Sequence, residues 1–210
     1  MGRYKNVKMK TILVTSQKGG SGKTTLVANL SVEAARTGAV VLVDTDPQGT
    51  LTQWVQRRPV DSPVLVKAEI SQLKIGLGSI KDSTRFVFID SPPTIGTVID
   101  VLVDIADLVL IPVKPSPADL WSVAKTVQLV KEKKKNFLFV LNQVKANSAI
   151  TAQAAAALSK FGPVASSFIG DRTIFASSLT SGNVASEISS KSPASMEVIK
   201  VWKEVEEFLL

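Results

Sequence analysis

The chain contains no cysteine and no histidine. The first absence excludes disulfides, thiolate metal sites and iron–sulfur clusters, and the second removes the commonest general base. Whatever chemistry the protein performs must therefore run on carboxylates, lysines and a bound metal. No apolar run approaches the roughly 20 residues that a membrane span needs, and the amino-terminal MGRYKNVKMK lacks the apolar centre of a secretory leader. A cytoplasmic location is expected. Internal repeats and low-complexity linkers are also missing, so the 210 residues are read as a single domain over 1–210. Residues 1–9 form a short basic arm carrying Arg3, Lys5 and Lys8, and 194–210 form a carboxy-terminal helix docked on the domain.

What is present begins with Thr11–Thr25, TILVTSQKGGSGKTT, an apolar strand that runs into a glycine-rich turn. Gly19, Gly20 and Gly22 allow the backbone to lie close to an anion and turn successive N–H groups inward, with Ser21 among them. Leu26, Val27, Leu30 and Ala34 then recur at helical spacing, which places the positive end of a helix dipole under the same anion. Lys23 reaches the β- and γ-phosphates of a nucleotide, the hydroxyl of Thr24 is placed to ligate a magnesium ion held by that nucleotide, and Thr25 closes the loop. The ordinary pattern has glycine six residues before the lysine; here Gln17 stands there, followed by a second lysine, Lys18.

Continuous apolar runs recur along the chain at 40–43, 64–66, 86–89, 108–111 and 137–141. Such runs mark strands buried on both faces of a parallel sheet. Helical segments near 97–106, 117–134 and 149–161 fall between them, giving an α/β fold with a doubly wound, mostly parallel sheet and helices on both faces. In such sheets the site lies beyond the carboxyl ends of the strands, where Gln17, Asp44, Asp90, Pro112 and Asn142 all fall. Asp90 has the position of a carboxylate that holds magnesium through its water shell. If the second strand continues through Asp44 and Asp46, their side chains point to opposite sides.

The net charge of +7 in a protein that also holds a polyanionic nucleotide points to a second anionic partner. The run Lys131–Lys135 reads as a solvated helix end favoured by the dipole. A distributed patch of Arg172, Lys191, Lys200 and Lys203, joined by Lys145, would bind DNA phosphates without reading sequence. The amphipathic helix 194–210 presents Val198, Trp202, Val205 and Leu209 on one face, whereas Glu197, Glu204, Glu206 and Glu207 oppose an anionic membrane, so no stable membrane association is expected. Trp54, Trp121 and Trp202 read as core or interface residues.

The sequence xKGGxGKT resembles the deviant Walker A motif of the ParA/MinD family of P-loop ATPases. The motifs SQKGGSGKTT, VDTDPQG, FIDSPP and ADLVLIPVKPSPADLWSV look like those of its small single-domain partition members, including those called ParF. The resemblance implies ATP and Mg2+ as cofactors, with Asp46 positioning the attacking water and Asp44 joining Thr24 and Asp90 around the metal. It also implies that Lys18 reaches across an ATP-sandwich homodimer to act in trans, making Lys18, Lys23 and Asp46 the catalytic set. Asn142 resembles a base-reading position, and Ile169–Gly182 resembles more loosely a segment with adenine and DNA contacts. The implied function is ATP-driven dimerisation, nonspecific DNA binding, and hydrolysis stimulated by a ParB-like adaptor, which segregates plasmid or chromosomal DNA. A family member that positions a protein or membrane-associated cargo is the alternative, and a metabolic ligase with the same loop is the competitor from another class. The amino terminus carries no helix-turn-helix extension like that of the large ParA proteins, which argues against operator binding.

Overall fold

The computed structural model describes residues 8–93, 96–146 and 148–209. The apolar runs form β1 (Lys10–Val14), β2 (Val40–Asp44), β3 (Val64–Leu65), β4 (Phe86–Asp90), β5 (Leu108–Val113) and β6 (Asn136–Leu141). They pair in one sheet in the order β3-β2-β4-β1-β5-β6, every pairing parallel. The chain thus leaves β1 for one edge and returns across it to the other, so β1 stands where the strand order reverses. That is where an open α/β sheet places its ligand.

Helices α1 (Lys23–Ala35), α2 (Thr50–Gln56), α3 (Ile70–Ile80), α4 (Thr97–Ile105), α5 (Pro117–Glu132), α6 (Ala149–Ser159), α7 (Thr173–Thr180), α8 (Ala185–Ile188) and α9 (Pro193–Leu209) cover both faces. Strand pleating divides the core in two. Ile12 and Val14 of β1 enter a cluster with Leu26, Leu30, Val198 and Trp202, on the side of α1 and α9. Leu13 between them enters the other cluster, with Leu73, Ile99, Val123 and Leu158 from α3 to α6. Trp202 seats the carboxy-terminal helix: its ring meets Phe86 edge-on at 5.0 Å and lies 5.8 Å from Phe88.

The expected helices near 97–106, 117–134 and 149–161 end one or two residues early, at Ile105, Glu132 and Ser159. The α5 terminus is set by Lys134, at φ 54°, and by Lys135, whose ammonium donates to the Asp104 and Ala106 carbonyls. Three further helices, α2, α7 and α8, were not signalled by periodicity. α9 begins at Pro193, one residue before the 194–210 helix read from the sequence, and places Val198, Trp202, Val205 and Leu209 in the core cluster shared with α1; Leu210 lies outside the described residues. Arg3 and Lys5 of the basic arm lie outside the described residues. Trp54 and Trp202 are buried, whereas Trp121 on α5 is 78% exposed.

Candidate functional site

The carboxyl end of β1 delivers the glycine loop, and its conformation follows from neighbours as much as from its own residues. Gly20 and Gly22 take φ of 72° and 87°, where a side chain is strained, and Gly22 leads into α1. A Cβ on Gly22 would stand 2.2 Å from Asn142 Nδ2. The close approach is a brace: Asn142, at the end of β6, donates to the Ser21 carbonyl at 2.7 Å, and Gln143 donates to the Gly20 carbonyl at 3.1 Å. Gln143 reaches it from a left-handed φ of 54°, with its backbone N–H on Asn142 Oδ1. On the other flank, Gln17 occupies the position of the ordinary glycine and ties the loop to α5 by donating to Thr126 Oγ1 at 3.0 Å. Two loop carbonyls are thereby held from outside, and at the entrance of the loop the Lys18 N–H donates to the Ser16 hydroxyl at 3.3 Å.

Lys23 is only 7% exposed at the start of α1, and burial lowers its pKa against the pull of Asp90 and Asp46, which favour the charge. A desolvated ammonium between carboxylates and a glycine-rich loop is poised for a polyanion. Next to it the Thr24 hydroxyl donates to Asp90 Oδ2 at 2.6 Å. Asp90 is 1% exposed, and its Oδ1 has no hydrogen-bond partner among the described residues. Burial pushes this carboxyl up to about 7; the Thr24 bond and the Lys23 charge act in the opposite direction, and Asp44 and Asp46 add to the rise.

An orphaned carboxylate oxygen beside a threonine hydroxyl fits a magnesium ion that arrives with a nucleotide. Among the described residues no cluster of three or more acidic side chains could hold a metal unaided, so most of its ligands would be phosphate and water. The donor set therefore fits a magnesium-bound nucleoside triphosphate, with Thr24 and Asp90 toward the metal and Lys23 toward the phosphates.

β2 ends at Asp44, so the carboxylates of Asp44 and Asp46 do not alternate along one strand. Asp44 Oδ1 instead accepts the Asp46 N–H at 3.1 Å, while its Oδ2 accepts both the N–H and the hydroxyl of Thr52 at 2.8 Å. Asp44 is the anchor of the turn that carries Asp46. Asp46 accepts the Gln48 N–H at 3.0 Å and remains partly exposed beside Lys23. Asp44 pairs in register with Asp90 across β2 and β4, close enough to raise the pKa of Asp90, while both oxygens of Asp44 are engaged in the turn.

Lys18 lies half-buried in the loop and makes no ion pair among the described residues. Thr25 is held in the first turn of α1, its carbonyl accepting from Asn29 at 2.8 Å. Asn142 lies against the loop, where its amide is spent on Ser21. The proposed DNA patch is gathered only in part. Arg172 is engaged by Glu197 at 2.6 Å, whereas Lys191, Lys200 and Lys203 are exposed before and along α9. Lys145 follows Val144, which bridges to Gly170 close to Arg172. Gln143, Thr52 and Thr126 were missed in the sequence because each acts through a contact between distant segments.

The model of the CobQ/CobB/MinD/ParA nucleotide-binding domain matches residues 12–184. The chain is 32% identical over 183 residues to a maintenance of carboxysome distribution protein A of Halothiobacillus neapolitanus, covering 82% of this chain and 84% of that protein. It is 30% identical over 131 residues to a ParA protein of Rhizobium radiobacter, covering 60% of this chain and 59% of that one. Among solved structures, the septum site-determining protein MinD of Pyrococcus horikoshii, complexed with Mg-ADP, superposes with a TM-score of 0.79 at 20% identity. It covers 95% of this chain and 96% of that chain.

Proposed function

The chain belongs to the family of CobQ/CobB/MinD/ParA nucleotide-binding domains, and on that premise we propose that it is a positioning ATPase switched by ATP and Mg2+. The observation that carries the proposal is the presence of a second lysine in the loop. Lys23 already supplies a cation on the floor of the loop, and Lys18, outside that floor, has no ionic partner among the described residues. A lysine so placed is satisfied by the phosphates of a facing subunit, so that ATP closes a homodimer and Lys18 acts in trans. Bound magnesium would neutralise charge on the transferred phosphoryl group. The chain's own residues do the rest. The braced loop orients the phosphates, Thr24 and Asp90 face the metal, and the Asp44-anchored turn holds Asp46 where it can orient a water.

In the closed dimer the exposed Lys191, Lys200 and Lys203 of two subunits form a surface for DNA phosphates, with Arg172 contributing only when it exchanges Glu197 for phosphate. An adaptor that accelerates hydrolysis releases the dimer, and repeated binding and release moves a cargo over DNA. Partition of plasmid or chromosomal DNA is one reading of that cargo. A protein assembly is the second, favoured by the likeness to a carboxysome distribution protein over a larger share of this chain than the likeness to ParA covers.

Gel shift on random-sequence duplex DNA, with ADP and with a slowly hydrolysed ATP analogue at two salt concentrations, tests the switch. Binding with the analogue alone, falling steeply with salt, is expected. Binding that is indifferent to nucleotide would overturn it.

A further inference from the structure

Lys114 follows β5 directly, in the short turn where the Ser116 N–H bonds the Lys114 carbonyl and Ser116 caps α5. Its ammonium comes to 3.8 Å from the position a Cβ on Gly20 would occupy, so it lies against the apex of the glycine loop. The side chain is half-buried, and among the described residues no carboxylate pairs with it. A half-buried, unpaired ammonium is costly unless an anion meets it. The loop grades from an exposed rim at Gly19 and Gly20 to a buried floor at Ser21 and Lys23. Lys23 stands at the floor, and Lys114 at the rim.

We propose that Lys114 is a further nucleotide-binding residue, which contacts the terminal phosphate of a bound nucleoside triphosphate and makes the site prefer triphosphate to diphosphate. The inference rests on the nucleotide reading above and deepens it. The inner phosphates are enclosed by loop amides and by Lys23, so a cation at the rim meets the outermost phosphate, the one that hydrolysis removes. Loss of that phosphate strips Lys114 of its anion. The residue thereby reports the nucleotide state to the first turn of α5, through the turn it shares with Ser116.

Titration of the magnesium-bound, slowly hydrolysed ATP analogue and of Mg-ADP into wild type, Lys114→Ala and Lys114→Arg tests this. A charge-assisted contact predicts that Lys114→Ala weakens the analogue about tenfold or more and ADP by less than about twofold, with Lys114→Arg recovering most of the loss. Equal loss for both nucleotides, or loss for neither, overturns the assignment while leaving the ATPase reading intact. A wild type that binds neither nucleotide overturns both. Circular dichroism of each variant shows whether a loss reflects misfolding, and a folded Lys114→Ala that keeps wild-type discrimination sinks the proposal.

Discussion

Thr24 donates its hydroxyl to Asp90 at 2.6 Å, and this one bond ties the first turn of α1 to the end of β4. It occupies one oxygen of a carboxylate whose other oxygen has no partner among the described residues. The site is thus costly when empty and is relieved by a cation.

The cost has a defined pH dependence. Asp90 sits at about 7 in the fold against a usual 3.8, so the folded state holds this proton longer than the unfolded chain does. Its contribution to stability is complete below about 4 and is lost as pH rises through about 7. Nucleotide-free Asp90→Asn should therefore be more stable than wild type at pH 8, and the gain should shrink as pH falls and vanish below about pH 4. It should also fail to gain thermal stability from Mg-ATP. Thermal unfolding at the two pH values, with and without Mg-ATP, checks both signs.

Gly22 and Asn142 should be energetically coupled. Alanine at Gly22 meets both a left-handed backbone, worth about 1–2 kcal/mol, and the Asn142 amide 2.2 Å away. Asn142→Ala leaves the Ser21 carbonyl without its donor, at about 1–3 kcal/mol. In the double variant the steric conflict is gone, so its loss in urea unfolding should be smaller than the sum of the singles.

Asp46→Asn keeps the acceptor that holds the Gln48 N–H while removing the carboxylate charge. It should bind ATP and dimerise but hydrolyse at least about 100-fold more slowly, because orientation of the attacking water is lost. Single-turnover hydrolysis beside an ATP-binding titration separates the two effects.

Trp202 joins α9 to the sheet through Phe86 and Phe88, and its indole N–H has no partner among the described residues. Trp202→Ala should cost about 3–5 kcal/mol in denaturant unfolding. Trp202→Phe, which sacrifices no hydrogen bond, should cost about 1.5 kcal/mol or less.

The parts of the molecule legible in the sequence were those in which one segment carries its own signal. The glycine loop with Lys23 and Thr24, and the buried runs ending at Asp90 and Asn142, announced both the sheet and the side of it that holds the site. Helix α2 was silent because only Leu51 and Trp54 of its seven residues are buried, and Gly49 starts it from a left-handed turn. Asp44 gave no hint that Thr52 would consume it, since that bond exists only once α2 has formed. The acids of α9 read as an outward negative face, yet the fold turns three of them to internal use. Glu197 bonds Arg172 and the Gly170 N–H, Glu204 accepts the Ser166 and Ser167 N–H groups, and Glu206 pairs with Arg85. Lys200 and Lys203 are left exposed on a helix less acidic outside than its composition implies.

In the proposed switch, Lys18 closes a dimer on ATP. Light scattering of the protein with ADP and with the slowly hydrolysed ATP analogue, for wild type and Lys18→Ala, measures this directly. Wild type should move from its monomer mass of 22.4 kDa to twice that value on the analogue alone, and Lys18→Ala should bind the analogue yet stay monomeric. A Lys18→Ala protein that doubles its mass as wild type does would show that Lys18 does not close the dimer.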